Sequence, residues 1–407
     1  MNTQRGPPEL ESTAAVPSIL TINAGSSSLR FALFQAGESP RALWRGKIER
    51  IGLEDARWTV SDSRSVVDER AIVAKDHAAA IDYLLTWLDS QPQFATVCAV
   101  AHRVVHGMSH SAPERVTNAL LDELRRIMAF DPEHLPFEIE LITAISRRHA
   151  KLPQVACFDT AFHRSMPAVA RRLPIPRRFQ AMGIERYGFH GLSYTFLMSE
   201  LVRLGDAAAR NGRVILAHLG NGASLAAVRD GRSIDTSMGF TPASGTMMST
   251  RSGDLDPGLS HYLAEVKQMS GSQFQRMVNH DAGLLGVSEI SSDMRDLLAL
   301  EATDGRAAEA IAMFCYHAKK WIGGFAAALG GLDTLVFAGG IGENAAPIRE
   351  RICADLGFLG VELDTAANTQ SAAVISAPAS RVTVRVIRTD EEWVLARAAM
   401  PFCHRRE

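Results

Sequence analysis

Two segments of the 407-residue chain share one design, and that likeness limits what the chain can fold into. The first, Ser18 to Phe34 (SILTINAGSSSLRFALF), is an apolar run, a Gly/Ser-rich turn and a second apolar run. The second, Arg213 to Asp235 (RVILAHLGNGASLAAVRDGRSID), repeats the plan around a Gly-Asn-Gly turn and adds a further turn at Asp230-Gly231. Each predicts a β-hairpin. When Ser28-Leu29 is laid on Ser224-Leu225 the identity is slight, yet each copy opens one half of the chain. Two domains of related design are therefore expected. The length agrees, because one domain takes roughly 150 residues.

Further strands are predicted at Ala95 to Gly107, Pro153 to Phe162, Asp333 to Gly340 and Arg381 to Thr389. Helical periodicity marks Asp76 to Leu88, Asn118 to Phe130, Pro136 to His149 and Gly305 to Leu329. Alternating strands and helices indicate an α/β architecture, with a cleft between the two halves as the expected ligand site. A net charge of −2 gives no general attraction to nucleic acid or anionic membrane, and neither is expected as a partner. The longest nearly apolar stretch, Trp321 to Leu332, is far shorter than the ~20 residues of a membrane span. Cys98, Cys157, Cys315, Cys353 and Cys403 are scattered and form no CxxC pair, which reads as reduced thiols in a cytoplasmic protein. Residues 1–17 hold no apolar core of a secretory signal and read as a disordered tail.

The chain contains no GxxxxGK[ST] and no complete GxGxxG after a strand, so the common phosphate and dinucleotide signatures are missing. Three small-residue turns remain, each directly after a predicted strand: Asn23 to Ser28, His218 to Ser224, and Gly339 to Asn344. Such turns let backbone N–H groups approach an anion, and Ser and Asn add donors. One of them alone would be an ordinary tight turn. Together they point to a bound polyphosphate.

In order along the chain, INAGSSSLRF, HRVVHG, FDTAFHRSMP, YGFHG, HLGNGAS, DTSMGFTPASGTMMSTRSGDLDPG, AGGIGEN and RTDEEW closely resemble the acetate kinase family of carboxylate kinases. The likeness runs from about Ile19 to about Arg397. It implies the actin/sugar kinase/heat-shock ATPase superfamily: two related actin-like, ribonuclease H-like domains with an interdomain cleft. The implied activity is reversible, Mg²⁺-dependent transfer of the ATP γ-phosphoryl group to acetate, giving acetyl phosphate and ADP. Manganese is a possible substitute for magnesium. A cytoplasmic homodimer is implied as well.

The resemblance assigns residues one by one. Arg103 would hold the carboxylate, Arg251 would face the transferring phosphoryl group, His190 would hydrogen-bond its oxygens, and Asp159 matches the catalytic acid. Guanidinium groups suit this work because their fork pairs bidentately with carboxylate or phosphate. Acetate is already ionised at neutral pH, so Asp159 is expected to position the acceptor, the metal's water shell or Arg103 rather than to work mainly by proton transfer. Val105, Phe189 and Pro242 match the acyl pocket. Glu391 and Asn23 match the Mg²⁺ pair; magnesium usually takes few protein carboxylates and keeps several waters. His218, Leu219, Gly220, Asn221 and Gly222 would line the phosphates, joined by Ser26, Ser28 and Arg30. Asp293, Met294 and Arg295, with Gly340, Ile341, Gly342, Glu343 and Asn344, would line adenosine. For Glu391 to reach Asn23 the chain must return, so the expected N-terminal, carboxylate- and metal-side domain is 18–161 plus 388–407. Residues 162–387 are the expected C-terminal domain, with nucleotide and dimer contacts.

His102, His106 and His110 are spaced four apart, but their neighbours read as strand and turn, which argues against a zinc site. Three departures stand out: Arg30 where lysine is common, Asp390 where asparagine is common, and PEHLP around His134, which puts Glu133 at a pocket leucine. Val105 favours acetate, whereas smaller residues there accompany propionate. Propionate or butyrate kinase is the nearest alternative. An ATP-hydrolysing conformational switch and a phosphatase are the more distant ones.

Overall fold

The computed structural model describes residues 16–25, 27–62 and 65–403; most of the expected tail, and Ser26, lie outside the described residues. The chain divides into two compact units. Unit 1 is Met1–His102, Phe137–Val155 and Leu395–Glu407, and unit 2 is Arg103–Pro136 and Ala156–Val394.

The strands are β1 (Ser18–Ala24), β2 (Ser28–Gln35), β3 (Arg41–Glu49), β4 (Arg57–Asp62), β5 (Val66–Ala71), β6 (Val97–Val104), β7 (Glu114–Arg115), β8 (Gln154–Phe158), β9 (Arg213–Leu219), β10 (Ala223–Arg229), β11 (Arg232–Thr236), β12 (Thr334–Ala338) and β13 (Thr383–Val386). One sheet has the order β5-β4-β3-β2-β1-β6-β8-β7 and the other β11-β10-β9-β12-β13. Their shared plan is a strand with an antiparallel hairpin partner on one side and a parallel strand on the other. β1 pairs antiparallel with β2 and parallel with β6; β9 pairs antiparallel with β10 and parallel with β12. The two predicted hairpins are thus present and equivalent. They do not superpose by one ungapped shift, because four residues separate the paired Ala24 and Leu29, against three between Leu219 and Ala223.

In unit 1, every residue of β1 is buried, as an apolar strand between two others should be. The helix His77–Asp89 begins where the Asp76 side chain accepts from Ala79 N–H at 2.8 Å, an N-cap worth about 1 kcal/mol. It buries Ala80, Ile81, Leu84, Leu85 and Leu88, which share a core with Leu20, Ile22, Leu29 and Phe31 of the sheet.

In unit 2, alternate residues of β9 face opposite layers. Ile215, Ala217 and Leu219 join a core with Phe314, Ile322 and Phe325 of the helix Gly305–Leu329. Val214 and Leu216 join one with Tyr194, Leu197 and Leu201 of the helix Gly191–Arg203. Helices on both faces explain why β9 reads as an unbroken apolar run rather than an alternating one. Each fully buried Leu, Ile or Phe here contributes roughly 1.5–3 kcal/mol. Among the described residues no helix is long and apolar enough to cross a membrane.

Two expectations change. Cys157, Cys315 and Cys353 are free and buried, but Cys98 and Cys403 form a disulfide across 305 residues, their Cα atoms 5.0 Å apart. Sequence spacing could not pair them; the fold of unit 1 does. The segment Gly339–Asn344, read as a turn, is a short helix opening directly on β12.

Candidate active site

The site in unit 2 is built where strands end. Asp159 directly follows β8 and is fully buried. Its backbone N–H donates to Val104 O at 3.0 Å, which sets it beside the end of β6 and so beside Arg103. Arg103 donates to Asp159 Oδ2 through Nε at 3.0 Å and Nη2 at 2.6 Å. Burial pushes the Asp159 carboxyl up, Arg103 pulls it back, and the negative charge of Glu391 pushes it up again. The Asp159 carbonyl accepts from Gly191 N at 3.0 Å. A Cβ on Gly191 would lie 2.0 Å from that carbonyl oxygen, so only glycine can start the next helix here.

His190 caps that helix in the left-handed region, at φ 59°. For a non-glycine residue this backbone costs on the order of 1–3 kcal/mol and is often met at functional positions. Its Nδ1 lies 2.9 Å from Ser224 Oγ, and its ring centroid is 4.4 Å from that of His218. Burial first, then His218, Arg103 and Arg251, hold His190 well below the usual histidine range, so the ring is neutral at pH 7. Burial also lowers His218.

Arg251 lies on a loop whose shape needs Gly283. That glycine has φ +62°, and a Cβ on it would lie 2.2 Å from Met248 O and 2.8 Å from Arg251 O. Arg251 Nη1 donates to Pro242 O at 3.3 Å. Burial lowers its proton affinity, while Glu133 and Asp131 act the other way. A methyl group placed on Gly222 would sit 3.2 Å from His190 Nε2 and 3.5 Å from Arg251 Nη1. A ring nitrogen and a guanidinium nitrogen therefore border one small space over the Gly-Asn-Gly turn.

That turn meets the other glycine-rich segment. A Cβ on Gly220 would lie 3.6 Å from Gly340 N. Gly339, at φ +76°, admits no side chain because Leu219 O is 2.7 Å from its Cβ position. Glu343 turns back into the protein, accepting from Gly339 N at 3.0 Å and Thr389 N at 3.2 Å. Arg349, fully buried, donates to Gly342 O at 2.9 Å. Asp293 caps the helix Met294–Leu300 and pairs with the exposed Arg295 at 2.6 Å; Met294 is buried.

Val105 and Phe189 are buried in one apolar cluster. Glu133 accepts from His280 at 3.2 Å, and His134 contacts Asp131 at 2.8 Å. The His102, His106 and His110 series is dispersed: His102 bonds Gln154, His106 Nδ1 accepts from Met108 N, and His110 bonds Glu114. Glu391 opens the helix Glu391–Cys403 and accepts from Ser193 Oγ at 2.5 Å. Unit 2 thus brings together Arg103, Asp159, His190, His218, Gly220 to Gly222, Gly340, Pro242, Arg251 and Glu391. Asn23, Ser28 and Arg30 belong to unit 1, where Asn23 is buried on β1 opposite the exposed Arg30 of β2.

Sequence reasoning missed Ser193 and Tyr194. Their signal was present: they follow His190 by three and four residues, the spacing of one helix face.

Several buried histidines carry a pH consequence. His102, His106 and His163 are each pulled down to about 4, chiefly by burial. An unfolded histidine takes its proton near pH 6.5. Below that the unfolded chain binds more protons, so stability falls as pH drops from 6.5 toward 4. At pH 5 each of the three should cost about 2 kcal/mol. Calorimetry at pH 7, 6 and 5 is expected to show a steep fall in Tm; a flat profile would contradict the assignment.

A sequence model of the Acetokinase family matches residues 18–397. An acetate kinase from Rhodopseudomonas palustris is 43% identical over 386 residues, covering 93% of this chain and 96% of that protein. A propionate kinase from Citrobacter rodentium is 41% identical over 388 residues, covering 94% and 96%. Among solved structures, Porphyromonas gingivalis acetate kinase is 34% identical with a TM-score of 0.85, covering 95% of this chain and 99% of the other. A propionate kinase from Francisella tularensis is 34% identical with a TM-score of 0.87, covering 94% and 98%.

Proposed function

Since this chain belongs to the acetokinase family, we propose that it makes acetyl phosphate and ADP from acetate and ATP, reversibly, with the following division of labour. The protein is a kinase with a carboxylate acceptor, and its fold is the actin-like one of that family. The carrying observation is the convergence of His190 Nε2 and Arg251 Nη1 over Gly222. Two anions must approach each other in this reaction, so positioning and charge neutralisation supply most of the catalysis. Arg103 holds the carboxylate in a plane set by Asp159, and Val105, Phe189 and Pro242 bound the methyl group. Arg251 and His190 bind the transferring phosphoryl oxygens. Asp159 orients Arg103 and moves no proton, because the acceptor oxygen is already anionic.

His218 to Gly222, with Ser26, Ser28 and Arg30, take the phosphates. Asp293 to Arg295 and Gly340 to Asn344 take adenosine. Glu391 and Asn23 hold Mg²⁺. The residue types suit that ion, which takes few protein carboxylates and keeps several waters. Glu391 is also near enough to Asp159 to raise it, and a cation would relieve that repulsion. When bound, the ion would neutralise phosphate charge. Residues 18–161 with 388–407 form the carboxylate and metal side, and 162–387 the nucleotide side and dimer contact. A cytoplasmic homodimer without nucleic-acid or membrane partners completes the reading, supported by the sequence resemblance.

Propionate is the rival acceptor, favoured by the propionate kinase relative. One methylene in such a pocket is worth about 1–3 kcal/mol. Trapping the acyl phosphate as hydroxamate, with acetate, propionate and butyrate plus MgATP, should rank acetate first, with propionate about 10- to 200-fold lower in kcat/KM. Propionate in first place would transfer the assignment. No acyl phosphate from any of the three would end it.

A further inference from the structure

We infer that Tyr194 and Ser224 are positioning residues that fix His190 as the tautomer protonated on Nε2, so that it donates one hydrogen bond to the transferring phosphoryl group. This rests on the reading of His190 given above.

The three side chains form a buried chain of contacts. The Tyr194 hydroxyl bonds Ser224 Oγ, and Ser224 Oγ lies 2.9 Å from His190 Nδ1. Tyr194 and Ser224 are both fully buried. The protons can run in two directions, since a third arrangement, with His190 Nδ1–H and Tyr194 both donating to Ser224 Oγ, leaves the buried serine proton unpaired. In one, Tyr194 donates to Ser224 and Ser224 donates to His190 Nδ1; every proton is used. In the other, His190 Nδ1–H donates to Ser224 and Ser224 donates to Tyr194. The tyrosine proton then faces no acceptor, because Ser224 is the only hydrogen-bond partner of that hydroxyl among the described residues. A buried donor left unpaired carries its full desolvation penalty. The first direction therefore wins, and the imidazole proton is left on Nε2.

Neighbours close the other routes. Burial keeps the tyrosine protonated far above neutral pH, so it is a donor throughout the working range. Arg251, Arg103, His218 and His163 face the ring, and with burial they oppose a second proton on it. The Nε2 atom is the one that reaches the space over Gly222 beside Arg251 Nη1. A ring with the opposite tautomer would present a lone pair to an anion there. The relay thus decides whether His190 attracts or repels the group being transferred.

The test combines spectroscopy with kinetics. In wild-type enzyme labelled with ¹⁵N-histidine, the His190 signals are assigned by their loss in His190→Gln. Nε2 is expected at a protonated, pyrrole-type shift and Nδ1 at an unprotonated, pyridine-type shift. The reverse pattern overturns the inference without either relay variant needing to fold. Ser224→Ala and Tyr194→Phe are expected to lower kcat about tenfold or more, the scale of disturbing a transition-state donor, with KM for acetate and ATP within about twofold. If His190→Gln is impaired while both relay variants keep wild-type kcat, the relay is wrong and the site reading stands. If His190→Gln itself keeps wild-type kcat/KM, the site reading fails.

Discussion

Arg251→Ala is expected to lower kcat/KM by about 10³-fold or more while leaving the protein as stable as before, or more so. The size follows from what an arginine does in phosphoryl transfer, where such a group contributes about 10³–10⁵ in rate. The stability follows from its surroundings. The guanidinium is buried enough to lose proton affinity, and its hydrogen bonds among the described residues go to the Pro242 carbonyl and, at 4.0 Å, to the Met248 sulfur. Neither offsets a buried charge as a bonded carboxylate would. Arg251→Lys keeps the charge but loses the fork, and should recover only part of the rate. Steady-state kinetics with calorimetry checks both halves. Near-normal kcat/KM in Arg251→Ala would remove it from the catalytic set.

Arg103→Ala should also abolish most activity, but with the opposite effect on stability. It strands the carboxylate of Asp159, which has no solvent exposure and takes two bonds from Arg103. Breaking a buried pair from one side costs about 3–5 kcal/mol. The expected sign is therefore a lower Tm for Arg103→Ala, recovered in part when Asp159→Asn is added, since the stranded charge is then gone. Activity should not recover in the double variant. Denaturant titration of the four-member cycle measures this coupling. Additive losses would mean that the two side chains act separately, and a plain surface role for Arg103 would follow from unchanged acetate KM.

The contrast between these arginines was not legible in the sequence, because neither motif shows which carboxylate lies beside its arginine. What was legible followed local rules. The helix Gly305–Leu329 was read to its ends from its periodicity, and the structure caps it with Asp304 at one terminus and Gly330 at the other. The hairpin of β9 and β10 was read because Gly220 to Gly222 interrupts two apolar runs. The candidate catalytic positions came instead from the likeness of their motifs to a known family. What failed depended on distant partners. Gly339–Asn344 is helical although rich in glycine: Arg349 bonds the Gly342 carbonyl, and Glu343 ties the segment to Thr389, 46 residues on. β3 to β5 were not foreseen: β3 and β5 show little apolar alternation in sequence, and β4, which does alternate, is only six residues long. The Tyr194–Ser224 contact spans 30 residues, and the Cys98–Cys403 bond 305.

The interleaved path of the chain also bears on how the protein is made. Unit 1 contains Cys98 early and Cys403 late, with most of unit 2 between them. At a synthesis rate of about 5–20 residues per second, those 305 residues take roughly 15–60 s to emerge. Throughout that interval the early strands stand at the ribosome with their closing helix still unmade. The unit begun first is finished last: the helix His77–Asp89 covers its sheet early, but the helix that carries Cys403 joins it only after unit 2 has emerged.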